Sequence, residues 1–290
     1  MCDERTERDN EELLRRTGKL SRRGFATIAT AAGFSMLLPR AAHAVDVVDS
    51  HVTITTPDGE ADCYFVHPSD AAAPAVLVWP DIFGLRPVFE AMGKRLAEEG
   101  YAVLVVNPFY RDAVAPVVDP GASFQEAGPI VFPLAQSLTP ERTITDATAF
   151  IGWLDSQDAV DTSRPVGTTG YCMGGPLIMR TAAALPDRVG AAASFHGGGV
   201  ASEEDGSPLM LVPEMKASFL FAIAANDDEN DPGMKDRLRA AYDAAGLSAE
   251  IEVYEGANHG WCVPQSAAYN EAQAERAWSR LLALFETALA

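Results

Sequence analysis

Val166-Gly167-Thr168-Thr169-Gly170-Tyr171-Cys172-Met173-Gly174-Gly175 is the stretch on which the reading of this chain turns. Val166–Tyr171 has the composition of a short buried strand, and Gly175–Ala184 continues with helical spacing. Between them the chain must bend sharply with a cysteine at the bend and glycine on either side. A residue there occupies a strained backbone position. Side chains at the flanking positions would collide with the adjoining strand and helix, so glycine is needed. A helix beginning directly behind Cys172 places unpaired N–H groups near the sulfur and favours thiolate over thiol. The pattern is Gly-x-nucleophile-x-Gly with cysteine in the nucleophile's place, and the Met173 N–H would face a developing oxyanion.

Working outward, short β-rich runs alternate with longer helical patterns, which predicts a parallel sheet wound with helices on both faces. His51–Thr56 and Ala61–His67 flank the turn Pro57-Asp58-Gly59 and read as an opening antiparallel hairpin. Ala75–Trp79 and Ala102–Val106 are continuous apolar runs, as strands buried on both faces should be. Val88–Glu99 lies between them as a helix. No element is expected from Asn107 to Leu138, where prolines recur; a loop of that length reads as a lid over a binding site. Downstream come a helix Pro140–Leu154 capped by Thr139 and strands Val189–Phe195, Ser218–Ala224 and Glu250–Tyr254. Helices Gly233–Ala245 and Tyr269–Ala288 complete the order.

In this arrangement an acid should follow the strand after the elbow's neighbour, and a base should follow the next strand. Asn226-Asp227-Asp228 and Asn258-His259-Gly260 stand at those two places. An aspartate there can fix the tautomer of a histidine that reaches back to Cys172. Asp227 is the expected acid, with Asp228 its rival. Tyr171, beside the nucleophile, and His196, at the end of strand Val189–Phe195, are expected to support the nucleophile or line the pocket.

Taken together, Gly170–Gly175, Asp81-Ile82-Phe83-Gly84, Asp227 with Pro232 following, and Ala257-Asn258-His259-Gly260 resemble the dienelactone hydrolase (carboxymethylenebutenolidase) family. The resemblance implies an α/β-hydrolase fold, doubly wound, over residues 45–290. It also implies a Cys-His-Asp triad, hydrolysis of a small ester or lactone, and no cofactor or metal. It places the Ile82 N–H with that of Met173 in an oxyanion hole and gives Asp81 the task of supporting the resting thiol. Two positions depart from the family. Asp81 stands where glutamate is usual, and Val263 stands where an arginine would bind a substrate carboxylate. An alternative is an exported, catalytically weak binding protein on a hydrolase scaffold; thiol redox chemistry at Cys172 is a third reading.

The 290 residues are 48% hydrophobic and 22% charged, ordinary for a globular chain, but the net charge is −19. Such acidity argues against nucleic-acid or anionic-membrane partners. Residues 1–44 read as a twin-arginine export signal: Ser21-Arg22-Arg23-Gly24-Phe25, an apolar stretch to Pro39, then Ala42-His43-Ala44. The apolar stretch is short for a membrane span. Removing residues 1–44 would leave Val45–Ala290 with no stable membrane span, with 14 Lys and Arg against 35 Asp and Glu, and with Cys63, Cys172 and Cys262. An odd number of cysteines leaves at least one thiol free, with a Cys63–Cys262 bond open.

Overall fold

A computed structural model describes residues 8–9, 38–39, 44–119 and 122–290. The expected export signal lies outside the described residues save for 8–9, 38–39 and 44. From residue 44 on, the described residues divide into two compact units, one up to residue 167 and one of residues 168–290.

In the first unit β1 (Val47–Thr56) and β2 (Gly59–Pro68) form the opening hairpin, paired from Val47 with Pro68 to Thr56 with Gly59. β2 then pairs antiparallel with β4 (Ala102–Val106), and β4 pairs parallel with β3 (Ala75–Trp79). β3 and β4 are buried at every position, which their unbroken Ala-Val-Leu-Val sequences require, since neither face meets water. Helix α1 (Pro87–Glu98) packs on this sheet through Gly93, where an added Cβ would stand 2.7 Å from Val105 Cγ2.

The stretch 107–138 departs from the expected open loop. Phe124–Gln136 forms a helix, α2, despite Pro129 and Pro133 within it. A capping box starts it: the Glu126 N–H donates to Ser123 Oγ, and the Glu126 carboxylate accepts from the Ser123 N–H at 2.9 Å. The two prolines hid that Ser-x-x-Glu signal. Residues 107–115 are pinned rather than loose. Asn107 donates to Asp62 and to the Ala113 carbonyl, and the Ala115 N–H donates to Asp62. Arg111 spans Asp58 and the fully buried Asp146 of helix α3 (Pro140–Asp155), while Tyr110 donates to Asp146 and bonds Thr56. Thr139 caps α3 as expected, accepting from the Arg142 N–H.

β5 (Val166–Tyr171) carries the chain into the second unit. There helix α4 (Gly174–Ala184) leads to β6 (Val189–Phe195), which pairs parallel with β7 (Ser218–Ala224). β7 in turn pairs parallel with β8 (Ala249–Tyr254). A 3-10 turn over Pro208–Glu214 and a six-residue helix α5 (Ala225–Asn230) were not expected; α6 (Met234–Ala245) and α7 (Glu271–Ala288) were. Mostly parallel strands alternating with helices, behind an antiparallel hairpin, is the fold class the sequence predicts. Among the described residues no helix is long and apolar enough to cross a membrane.

Candidate active site

Cys172 stands at the bend between β5 and α4 with φ of +53°, in the left-handed region that non-glycine residues rarely enter. Its N–H donates to the Phe195 carbonyl at 3.0 Å, and its own carbonyl accepts from Gly175 at 3.1 Å and Gly198 at 3.3 Å. The glycines leave no alternative. A Cβ on Gly170 would stand 2.3 Å from the Gly174 oxygen, and one on Gly175 would stand 2.6 Å from Gly197 Cα. Met173 is the N-cap of α4, so its N–H belongs to the helix end directly behind the sulfur.

The His259 loop closes on this bend. The His259 N–H donates to Asn226 Oδ1 at 2.8 Å, and His259 Nδ1 lies 2.8 Å from Asp227 Oδ2. Asn226 and Asp227 sit on α5, not on the open loop expected for them, and the Ala225 N–H donates to the Ala257 carbonyl, which locks the two segments together. Asp228, the other candidate acid, faces away into an ion pair with Lys235 at 2.5 Å. Asn226 was not anticipated from the sequence. Its only signal there was its place beside Asp227, and its task of fixing the His259 backbone depends on a contact 33 residues away.

Burial alone would push the His259 imidazole down. The neighbouring Cys172, the Asp227 carboxylate and the hydrogen bond to Asp227 outweigh it and push the ring up to about 10. The charged form of the ring is therefore favoured, with Asp227 on Nδ1 and Cys172 beside it. His196 lies with its ring centroid 4.8 Å from that of His259 and 5.2 Å from that of Trp261; Tyr171 is 6.2 Å from it and stacks on Phe195 at 5.0 Å. Val263 is buried in the same loop.

Asp81 and Ile82 belong to the first unit. Asp81 gives both carboxylate oxygens to Arg86, at 2.6 and 2.8 Å, and Oδ1 also accepts from the Phe83 N–H at 3.0 Å. Arg86 lies over the Phe83 and Phe89 rings. Asp81 thus organises the turn 81–86, in which Ile82 is buried.

Cys63, Cys172 and Cys262 form no disulfide among the described residues, and all three are buried. Burial, the largest influence on each, pushes the Cys63 and Cys262 thiols well up, so both are held protonated. Among the described residues no cluster of His, Cys, Asp and Glu is arranged to hold a metal.

The sequence profile of the dienelactone hydrolase family matches residues 61–289. The chain belongs to that family. A Salmonella typhi protein provisionally named a carboxymethylenebutenolidase is 27% identical over 269 residues, covering 90% of this chain and 94% of that one. The carboxymethylenebutenolidase of Pseudomonas putida is 26% identical over 215 residues, covering 74% and 86%. Among solved structures, a dienelactone hydrolase-like promiscuous phosphotriesterase from metagenomic libraries superimposes with a TM-score of 0.69 at 19% identity, covering 84% of this chain and 99% of the other. This dienelactone hydrolase family member thus shares its fold with solved relatives and its length with curated ones.

Proposed function

We propose that the protein hydrolyses a small ester or lactone through Cys172, His259 and Asp227, by way of a thioester. The observation that carries this reading is the His259 imidazole, fixed by Asp227 through Nδ1 and in electrostatic contact with Cys172 at a strained elbow. The Cys172 thiolate attacks the carbonyl carbon, and the oxyanion is met by the Met173 N–H at the α4 N-terminus. His259 gives its proton to the leaving alkoxide oxygen as the carbon–oxygen bond breaks, which leaves a thioester and a neutral imidazole. That imidazole then takes a proton from water while the hydroxide attacks the thioester carbonyl. Collapse expels the thiolate and re-forms the ion pair, and the acid product loses its proton to solvent. Asp227 holds the ring throughout.

Val263 in place of an arginine removes a cation from the base's loop, and the chain's net charge is −19. Both favour neutral over anionic substrates. The related binding-protein reading has no comparable support, since it needs neither the ion pair nor the strained cysteine. Export through residues 1–44 belongs to the same proposal; a secreted product beginning at Val45 by mass would support it. The test of function is Cys172→Ala against a neutral p-nitrophenyl ester and a panel of lactones. Turnover should vanish, and retained turnover in that variant overturns the reading.

A further inference from the structure

His196 is unfavourable on two counts. It holds φ of +42°, a left-handed conformation that glycine or asparagine adopts at lower cost. The conformation itself has a structural reason. The turn at the end of β6 presses Gly197 against Gly175, behind the nucleophile, where a Cβ on Gly197 would stand 3.0 Å from Gly175 Cα. A glycine or asparagine would serve that turn better. The side chain adds a second cost: it is buried to 1% exposure, and neither ring nitrogen has a hydrogen-bond partner among the described residues. Backbone strain and an unsatisfied buried polar group on one residue mark a side chain kept for something other than stability.

What the ring touches is the base. It meets His259 edge to face at 4.8 Å and an angle of 61°, and it meets Trp261, two residues on in the same loop, at 5.2 Å and 66°. Trp261 stacks in turn on Tyr254 at the end of β8. We propose that His196 is a positioning residue, an uncharged aromatic wall that fixes the plane of the His259 ring so that one nitrogen stays on Asp227 and the other on Cys172. Since its nitrogens bond nothing among the described residues, it acts through the shape and place of the ring. Charge on it would oppose the neighbouring imidazolium. Burial first, and then the His259 charge, push it down to about 3 against the opposite pull of Cys172, so it stays neutral while its neighbour is charged.

The inference rests on the triad proposed above, and its test separates the two. His196→Asn keeps the left-handed turn and removes the wall; His196→Phe keeps a ring without nitrogens. Two quantities are read: kcat and KM on the neutral ester, and the rate of Cys172 alkylation by iodoacetamide at pH 6, which needs no substrate. For His196→Asn the melting temperature should hold or rise. Its kcat should fall on the order of 10- to 100-fold at unchanged KM, and alkylation should slow with it. His196→Phe should recover most of both losses. Wild-type kcat and alkylation in His196→Asn overturn the inference, as does a lowered melting temperature that accounts for the lost activity, or a folded His196→Phe as impaired as the asparagine variant. Turnover surviving in Cys172→Ala removes the triad instead, whatever the His196 variants do.

Discussion

His259 Nδ1 and Asp227 Oδ2 lie 2.8 Å apart, although 32 residues separate them and each stands on a different strand end. The bond forms because α5 turns Asp227 inward while its neighbour Asn226 holds the His259 backbone. One residue further, Asp228 points to Lys235. The two adjacent carboxylates therefore have separable tasks.

Asp227→Asn should lower kcat by about 10³-fold or more, the size of effect seen when the acid of a nucleophile–histidine–acid triad loses its charge. Asp228→Asn should leave kcat within about two-fold and cost at most about 1 kcal/mol, because its ion pair is partly solvated. Steady-state kinetics of the two variants, with a thermal melt of each, decide it. Equal losses in both would show that the carboxylates are not divided in this way.

The rate should also depend on pH with a defined direction. In the proposed reaction His259 must be protonated to deliver a proton to the leaving oxygen, and its pKa is raised to about 10. The kcat/KM profile should therefore hold through neutral pH and fall as pH rises through about 10. In stability, a raised pKa gives a contribution complete below the unfolded value near 6.5 and lost as pH rises through about 10. His196, depressed to about 3, acts in the opposite sense: the unfolded chain takes up its proton first, so stability is lost as pH falls below about 6.5. Urea midpoints between pH 4 and 7 should decline less steeply in His196→Asn than in the parent. A steeper decline would contradict the sign.

Of Cys63, Cys172 and Cys262, only one should react in the folded protein. Burial pushes the Cys63 and Cys262 thiols up, whereas Cys172 lies beside His259, whose pKa is raised. Iodoacetamide at pH 6 should add one carbamidomethyl group, on Cys172, and two more after denaturation of a chain lacking residues 1–44. Mass spectrometry of tryptic peptides reads this directly. First labelling at Cys63 or Cys262 would be the wrong outcome.

Asp81 and Arg86 form a buried, doubly hydrogen-bonded pair, so removing one partner strands the other's charge. Arg86→Met should lower stability by about 3 kcal/mol. The double variant Asp81→Asn with Arg86→Met should recover a large part of that loss, since neither charge then remains buried. The melting temperatures of the two variants and the parent form the test.

Much of this could be read from the order of residues. The apolar runs 75–79 and 102–106 can form only strands buried on both faces, and Gly170 and Gly175 around Cys172 allow only a sharp strand-to-helix turn. These are local properties, set by side-chain period and by backbone freedom. Helix α2 was also local, written in Ser123 and Glu126, but Pro129 and Pro133 obscured it.

What no local pattern could decide was which of two neighbouring aspartates meets the imidazole, that Asn226 holds the loop, and that His196 lies edge-on to His259. Each depends on side chains that are distant in sequence arriving at the same strand ends, and helix α5 turns Asp227 one way and Asp228 the other. The sequence by itself determined the kinds of groups present and the bend that carries Cys172. Only the packing of the parallel strands and their loops determined which of those groups touch, because contact between remote segments is a property of the folded chain and not of any window along it.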